Sequence, residues 1–338
     1  MCSIFGVLEL RQDLEVVRKM ALRQSRLLRH RGPDWSGIHT TENAVLAHER
    51  LSIVDVNTGA QPLISESGLQ SLAVNGEIYN HQDIRDRFEG EYAFKTQSDC
   101  EVILPLYLEQ GTGFLDELGG MYAFCLYDED KDFWMMARDP IGIIPLYYGH
   151  DDHGQLFVSS EMKALMDVCN QVHEFPPGHY WCSDEEEPVK WYTRDWFDYA
   201  AVENATTDRE ALRQSMEDAV VSHLMTDVPY GVLLSGGIDS ALVLGLIAEL
   251  GVTPIRTFTA GFDGQEMDER PYARAVAQHF GTDHCELQIG APSRDLAYHV
   301  LDQFDEPFAD TSALPTYLIC QQARQHVKVV LTGDGGDE

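Results

Sequence analysis

The stretch "YGVLLSGGIDSALVLGLIAEL", residues 230–250, constrains the fold more than any other part of the chain. An apolar run stops at a Ser-Gly-Gly turn and resumes as an amphipathic helical segment. A strand fed straight into a helix through a tight glycine turn is the unit of a parallel sheet, whose strands need crossover helices between them. The same alternation continues on both sides. The pattern predicts helix 208–224, strand 230–235, helix 238–250, strand 255–261, helix 268–280, strand 283–288, helices 292–304 and 313–326, and strand 327–332. Residues 208–338 therefore read as a parallel α/β sheet.

The first half has a different grammar. Residues 2–10 read as a strand and 13–29 as a helix, with Val17, Met20, Ala21 and Leu28 at helical spacing. Short β-like runs follow, punctuated by Gly, Asn and Pro: "AVLAHERLSIV", "SLAVNGEIYN", "MYAFCLYD", "FWMMARD", "PLYYG" and "LFVSSE", with one helix around 98–110. Many strands and few helices predict stacked sheets in an α+β layer arrangement. "RHRGPDWSG" (29–37) reads as a loop turned by Gly32 and Pro33, from which Arg31 or Trp35 reaches a neighbour. The character changes near residue 183, where "SDEEEP" reads as a solvated acidic loop, and no periodicity is visible to about 207. A chain of 338 residues with this break suggests two domains.

Charge narrows the partners. With 56 acidic and 24 basic residues the formal net charge is −32, which argues against nucleic acid or an anionic membrane as a main partner. Such acidity suits a salt-rich habitat or a merely acidic protein. Any anion site must be local, built from backbone N–H groups, a metal or a few arginines. The longest apolar run, "ALVLGLIAEL", is interrupted by Glu249 and too short to span a bilayer, and no signal peptide is visible. Seven cysteines, at 2, 100, 125, 169, 182, 285 and 320, show no metal spacing, which suggests reduced thiols in the cytoplasm.

The Ser235-Gly236-Gly237 turn bares N–H groups at a helix start, a nest suited to phosphate. Ser235 and Ser240 add hydroxyls. Asp239 would repel phosphate directly, so its role is to hold Mg²⁺ between phosphates. The loop is not GxxxxGK[ST]; SGGxDS is the pyrophosphate loop of enzymes that attack the α-phosphate of ATP. Two further strand ends should border the same crevice. One is "TFTAGF", whose backbone near Ala260 can meet an adenine ring. The other is "VVLTGDGGDE", where Thr332 and Gly333 reach the nucleotide, Asp337 shares the metal with Asp239, and Asp334 lies beside the reaction centre.

In the first half, Cys2 follows the initiator Met1, and trimming Met1 would place a thiol and a free α-amine on one residue. Asn75 and Gly76, after an apolar strand in "VNGEIYN", form a natural oxyanion hole. Arg50 suits a carboxylate, and Glu77 and Asp99 suit an ammonium group. Together they would hold a free amino acid by both ends, with Cys2 as nucleophile and its own α-amine as general base.

These residues resemble the glutamine-dependent asparagine synthetases of the bacterial type that starts with Cys. The likeness covers essentially the whole chain: "MCSIFGV", "RHRGPDWSG", "AHERLSIVDVNTGAQPL", "VNGEIYNH", "SDCEVI", "ARDPIGIIPLYYG", "SSEMKAL", "RDWFDY" and "DVPYGVLLSGGIDS". The resemblance implies an N-terminal-nucleophile glutaminase domain of stacked antiparallel sheets over 2–186, a linker over 187–207, and an incomplete α/β ATP-pyrophosphatase domain over 208–338. It implies that glutamine is cleaved at Cys2, that ammonia crosses a tunnel, and that ATP with Mg²⁺ activates aspartate as β-aspartyl-adenylate for amidation to asparagine. It implies roles for Asn75 and Gly76 in the oxyanion hole. Arg50, the backbone around Ile53, Glu77 and Asp99 would bind glutamine. Leu233, Ala260, Thr332 and Gly333 would line the nucleotide site, and Asp239 and Asp337 would take magnesium pyrophosphate. A homodimer is the family expectation. Two departures stand out. The chain stops at "GDGGDE" where family members continue, so a fragment is expected. Asp334 stands where the family commonly has Glu, one methylene longer. An amidotransferase of the same architecture acting on another acid, and a glutaminase alone, are the competing readings.

Overall fold

The structure, a computed structural model, describes residues 1–194, 200, 203, 206, 208–262, 268–290 and 293–336. The chain divides into two compact units, Met1–Ala205 and Thr206–Glu338.

The first unit is built from two antiparallel six-stranded sheets. One runs in the order β10 (Gln171–Glu174), β8 (Tyr147–His150), β9 (Leu156–Ser159), β1 (Ser3–Leu8), β3 (Ala44–Arg50), β2 (Trp35–Thr40). The other runs β12 (Val189–Lys190), β11 (His179–Cys182), β7 (Phe133–Arg138), β6 (Gly120–Asp128), β5 (Gln70–Ile78), β4 (Leu63–Ile64). Strand alternation sorts the side chains into three buried layers. Ile4, Leu8 and Leu46 of the first sheet meet Ala73, Ala123 and Met136 of the second, forming the core between the sheets. Phe5, Val7, Val45 and Ala47 face the other way, onto Val17 and Ala21 of helix α1 (Leu14–Leu27). Leu72, Val74, Phe124 and Leu126 face Ile84 of α2 (His81–Arg87) and Ile103, Leu104 and Leu106 of α3 (Ile103–Gln110). Helix, sheet, sheet, helix is the resulting stack. Asp13 caps α1 by accepting from the N–H groups of Glu15 and Val16.

The stacked sheets answer the sequence reading, with corrections at the edges. The segment read as a loop over 29–37 ends in strand β2, which pairs with β3 from Trp35↔Arg50 to Thr40↔Val45. Arg31 does reach a neighbour, the Cys2 carbonyl, whereas Trp35 is 54% exposed. The linker expected from 187 begins inside the second sheet, because Val189–Lys190 pairs with β11. Most of its later residues, and most of "RDWFDY", lie outside the described residues.

The second unit holds a parallel sheet in the order β15 (Asp283–Ile289), β14 (Arg256–Phe262), β13 (Tyr230–Leu233), β16 (Val329–Leu331). Helices α4 (Arg209–His223), α5 (Ile238–Glu249) and α6 (Arg270–Phe280) cover one face with Val220, Leu244, Ile247, Ala273 and Ala277. Ile319 and Ala323 of α8 (Ala313–Ala323) cover the other against Phe258, and α7 (Arg294–Leu301) contacts α8. The chain leaves β13 toward β14 on one side and returns as β16 on the other. The strand order thus reverses between β13 and β16, and a crevice at such a reversal is where parallel sheets bind ligands.

Candidate active site

Strand parity assembles the first site. Even-numbered residues of β1 and β3 face the space between the sheets, as Ile4, Leu8 and Leu46 do, and so do odd-numbered residues of β5, as Ala73 does. Continuing each strand by that rule turns Cys2, Arg50, Asn75 and Glu77 toward one end of the same space. The structure places them around one cavity, with Gly76, Ile53 and Asp99 also in its wall. All seven residues singled out from the sequence are there. The cavity encloses about 40 Å³, room for roughly three waters, and Met1 forms part of its lining.

Cys2 Sγ sits at the turn after β3, 3.3 Å from the donating N–H of Leu51 and 3.5 Å from the Leu51 carbonyl. Burial pushes its thiol up, opposed by the nearby terminal amine, the Leu51 hydrogen bond and Arg50. The terminal amine, on Met1, is pushed down by its own burial. Arg31 Nε donates to the Cys2 carbonyl at 3.1 Å while its Nη1 pairs with Glu161 at 2.9 Å. Burial alone would raise the Glu161 carboxyl, but His30 and Arg31 overcome it and hold it at about 2.

Asn75 is fully buried, yet neither atom of its carboxamide has a hydrogen-bond partner among the described residues. A buried amide left unpaired costs about 1–3 kcal/mol, so its free groups facing a cavity point to a ligand that supplies the partners. The neighbouring backbone tells the same story. The N–H of Val74 donates to Gln61 Oε1 and that of Ile78 to Asp99 Oδ2, both on the edge of β5 away from β6. The N–H of Gly76, between them in the alternation, faces that edge too and has no partner among the described residues.

Arg50 is buried and held by one terminal nitrogen, which donates to the carbonyls of Val54 (2.9 Å) and Asp55 (2.6 Å). The rest of its fork is left for a carboxylate. Glu77 is pushed up to about 7 by burial and by the Asp99 charge. Asp99 is also raised, by burial. Neither carboxyl has a salt-bridge partner among the described residues. The terminal amine draws the Glu77 carboxyl down only in part, so two neighbouring acids, one buried and one half-buried, are suited to a further positive group.

Sequence reasoning passed over Gln61, Cys100 and Met121, which also line the cavity. The Cys100 thiol, pushed well above its ordinary value by burial, lies 3.5 Å from Asp99 Oδ2 and 3.7 Å from the Gly76 carbonyl. Parity could have found Met121, which pairs with Glu77. Nothing local marks Gln61, which sits in a loop.

In the second unit, Gly236 takes a φ of +90°, and a Cβ there would lie 2.8 Å from the Ala273 nitrogen; only glycine fits. Ser235 Oγ accepts from the Gly237 N–H at 3.1 Å and lies 3.0 Å from Ser240 Oγ, which accepts from the Ser235 N–H at 3.2 Å. Gly237 caps α5 without a side-chain bond, leaving first-turn N–H groups for an anion. The loop after β16 closes on this turn: a Cβ on Gly333 would lie 2.6 Å from the Ser240 nitrogen, and one on Gly336 3.2 Å from Asp239 Cβ. The Asp334 N–H donates to Thr332 Oγ1 at 3.3 Å. Leu233 and Ala260 each pack against the Phe258 and Ile319 cluster on the α8 face of the sheet. Asp337 lies outside the described residues.

Magnesium fits this loop only in company. Among the described residues no three His, Cys, Asp or Glu side chains form a metal cluster. Asp239, beside an anion nest, gives the single carboxylate that suffices when phosphates and waters complete the shell.

No helix among the described residues is long and apolar enough to cross a membrane, and all seven cysteines are free. Comparison with known proteins finds a family match in each half of the chain. The family described as "Glutamine amidotransferase domain" matches residues 1–177, and "Asparagine synthase" matches 211–338. Asparagine synthetase B [glutamine-hydrolyzing] of Escherichia coli (strain K12) is 49% identical over 357 residues, covering 100% of this chain and 64% of that protein. A probable asparagine synthetase [glutamine-hydrolyzing] of Schizosaccharomyces pombe is 41% identical, covering 100% of this chain and 65% of its own length. The chain thus spans just under two thirds of these relatives. In fold it is similar to the glutamine phosphoribosylpyrophosphate amidotransferase of B. subtilis, with a TM-score of 0.51 at 15% identity over 93% of this chain and 95% of that one. The chain belongs to the glutamine amidotransferase family, its domain of that family being followed by an asparagine synthase region.

Proposed function

We propose that the protein hydrolyses glutamine at Cys2 and uses the ammonia, with ATP, to amidate aspartate to asparagine. The observation that carries the first half is the buried, unpartnered Asn75 carboxamide in a cavity shared with Cys2, Arg50, Glu77 and Asp99. Met1 is removed, which frees the α-amine of Cys2 and enlarges the cavity. Arg50 takes the α-carboxylate of glutamine; Glu77 and Asp99 take its ammonium. The Cys2 amine accepts the thiol proton, and the sulfur bonds to the carboxamide carbon. The carbonyl oxygen becomes an oxyanion held by Asn75 Nδ2 and the Gly76 N–H. The amine returns the proton to the nitrogen, the C–N bond breaks, and ammonia leaves a thioester that water hydrolyses to glutamate.

In the second unit the Ser235–Ser240 loop takes the pyrophosphate portion of ATP, with the adenine side toward Leu233 and Ala260 and with Thr332 and Gly333 closing the crevice. Magnesium, held by Asp239 and by Asp337, would neutralise phosphate charge. The aspartate β-carboxylate attacks the α-phosphorus and pyrophosphate leaves; ammonia then attacks the acyl carbon and AMP leaves. Asp334 lies beside this centre. Aspartate as acceptor is supported by the asparagine synthetases that the chain resembles along its length. The free cysteines suit the reducing cytoplasm, and a homodimer is the assembly to look for by light scattering.

The test is one incubation of the Met1-free protein with glutamine, aspartate and Mg-ATP, quantifying glutamate and asparagine. Both products are expected. Glutamate without asparagine would leave a glutaminase whose acceptor reaction is another. No glutamate would refute the assignment of Cys2.

A further inference from the structure

The edge of β5 that carries Gly76 lacks a partner strand. β4 covers β5 only at Leu72 and Ser71. From Val74 onward the edge would lie open in a buried cavity. An unsupported strand edge is mobile, and an oxyanion donor on it would be poorly placed.

The Gln61 side chain replaces the missing strand. Its Nε2 donates to the Val74 carbonyl at 3.1 Å and its Oε1 accepts from the Val74 N–H at 2.7 Å. That is the bond pair a β-ladder residue would make, supplied by one carboxamide. The Val74 carbonyl takes a second bond from His48 Nε2 at 2.9 Å. Because a carbonyl can only accept, His48 carries its proton on Nε2, consistent with a buried, neutral ring. Gln61 is itself buried, and its main chain lies so close to β2 that a Cβ on Gly37 would meet the Gln61 carbonyl carbon at 2.9 Å. Four residues beyond Val74 on β5, Asp99 holds the Ile78 N–H. The Gly76 peptide is thus clamped from both sides, by Gln61 before it and Asp99 after it.

We propose that Gln61 is a positioning residue for glutamine hydrolysis, fixing the Val74 peptide so that Asn75 and the Gly76 N–H meet the oxyanion. This rests on the glutaminase reading of Cys2. Gln61 touches no reacting atom in this assignment; it acts through the strand.

Two substitutions test it. Gln61→Leu removes both bonds at similar volume. A misplaced oxyanion donor costs about 10- to 100-fold in kcat, with KM for glutamine within about threefold, because Arg50, Glu77 and Asp99 are untouched. Alkylation of Cys2 by iodoacetamide, followed on its peptide by mass spectrometry, needs no oxyanion hole and should keep the wild-type rate. Gln61→Glu has the donor–acceptor pattern of the carboxamide only when protonated. Its kcat relative to wild type should therefore climb as pH falls from about 8 to about 6, since burial raises a carboxyl. A Gln61→Leu kcat within twofold of wild type would overturn the inference. So would kcat and Cys2 alkylation falling in parallel together with a flat Gln61→Glu ratio, which would make Gln61 a general support of the fold. Wild-type protein that releases no glutamate would fail the glutaminase reading first, before any variant is compared, and the inference with it.

Discussion

Gly76→Ala is the substitution for which the structure gives the sharpest number. Gly76 takes a φ of +155°, and a Cβ there would lie 2.6 Å from Tyr122 Cα and 2.9 Å from Tyr122 Cβ, with the Met121 carbonyl oxygen closer still. Those atoms belong to β6, paired with β5 in an uninterrupted register from Gln70↔Asp128 to Ile78↔Gly120. Backbone in a buried ladder has no room to give. Restoring an ordinary 3.4 Å contact to Tyr122 Cα from 2.6 Å needs a shift of at least about 0.8 Å, and the closer Met121 oxygen needs more. Overpacking of this kind costs about 1–3 kcal/mol, and forcing alanine into a glycine conformation a further 1–3 or so. The expected loss is about 2–6 kcal/mol. The same shift moves the Gly76 N–H, and misplacing a catalytic donor by about 1 Å lowers kcat on the order of 100-fold. The assay is urea unfolding followed by tryptophan fluorescence, beside glutamate release. All five tryptophans lie before residue 206, so the signal reports the first unit alone. Gly113→Ala, with nothing within 4 Å of its Cβ, is the control and should change neither quantity. Stability lost by less than about 1 kcal/mol, below the range for overpacking, would refute the geometry. Stability lost with kcat intact would refute Gly76 as an oxyanion donor.

Glu77 is raised to about 7 from 4.5, so the native state binds its proton more tightly than the unfolded chain. Stability from this group is complete below 4.5 and is lost as pH rises toward 7. Glu77→Gln should therefore stabilise the first unit at pH above 7 by something on the order of 2–3 kcal/mol, fading toward pH 4.5, while raising KM for glutamine; urea melts across pH and initial rates check both. Glu161 runs the opposite way. Held at about 2, it contributes stability above 4.5 that is lost as pH falls toward 2, so Glu161→Gln should cost on the order of 2 kcal/mol at neutral pH and little near pH 2. Gly236→Ala, whose Cβ would press on the Ala273 nitrogen and Tyr272 Cβ at 2.8 Å, should weaken Mg-ATP binding at least tenfold or so by calorimetry and leave glutamate release unchanged.

How much of this was legible depended on whether a local rule carried the information. The parallel sheet was, because "YGVLLSGGIDS" can hardly do anything but leave a strand and enter a helix, and β13 and α5 lie where that reading put them. The first-unit strands with apolar alternation, β1, β3, β5, β6 and β7, were also legible. The edge strands were not. β2 is "WSGIHT", half polar and without inward alternation, and becomes a strand only because β3 lies beside it. β12 is two residues long. The site residues fell into the same two groups. Cys2, Asn75, Gly76, Arg50, Glu77 and Asp99 announce themselves by chemical type. Gln61 has no such signature, since its meaning is the gap in β4–β5 pairing that it fills, and pairing is a tertiary fact.

The charges of the first cavity make sense only with a ligand. Holding Glu77 and Asp99 side by side with no ion-pair partner among the described residues opposes folding, as their raised protonation shows. Retained by a protein that gains nothing from it, such a pair would be a defect. In the proposed reaction it is the specificity device. Glutamine brings an ammonium to the acids and a carboxylate to Arg50, so its binding relieves the strain, and the molecule is neutral overall. Glutamate differs by one negative charge, on the group nearest Cys2, where release of ammonia has left a carboxylate in place of an amide. That charge emerges in a protein already at −32. The field that is indifferent to the neutral substrate repels the anionic product, and the same two acids that make glutamine fit make glutamate leave.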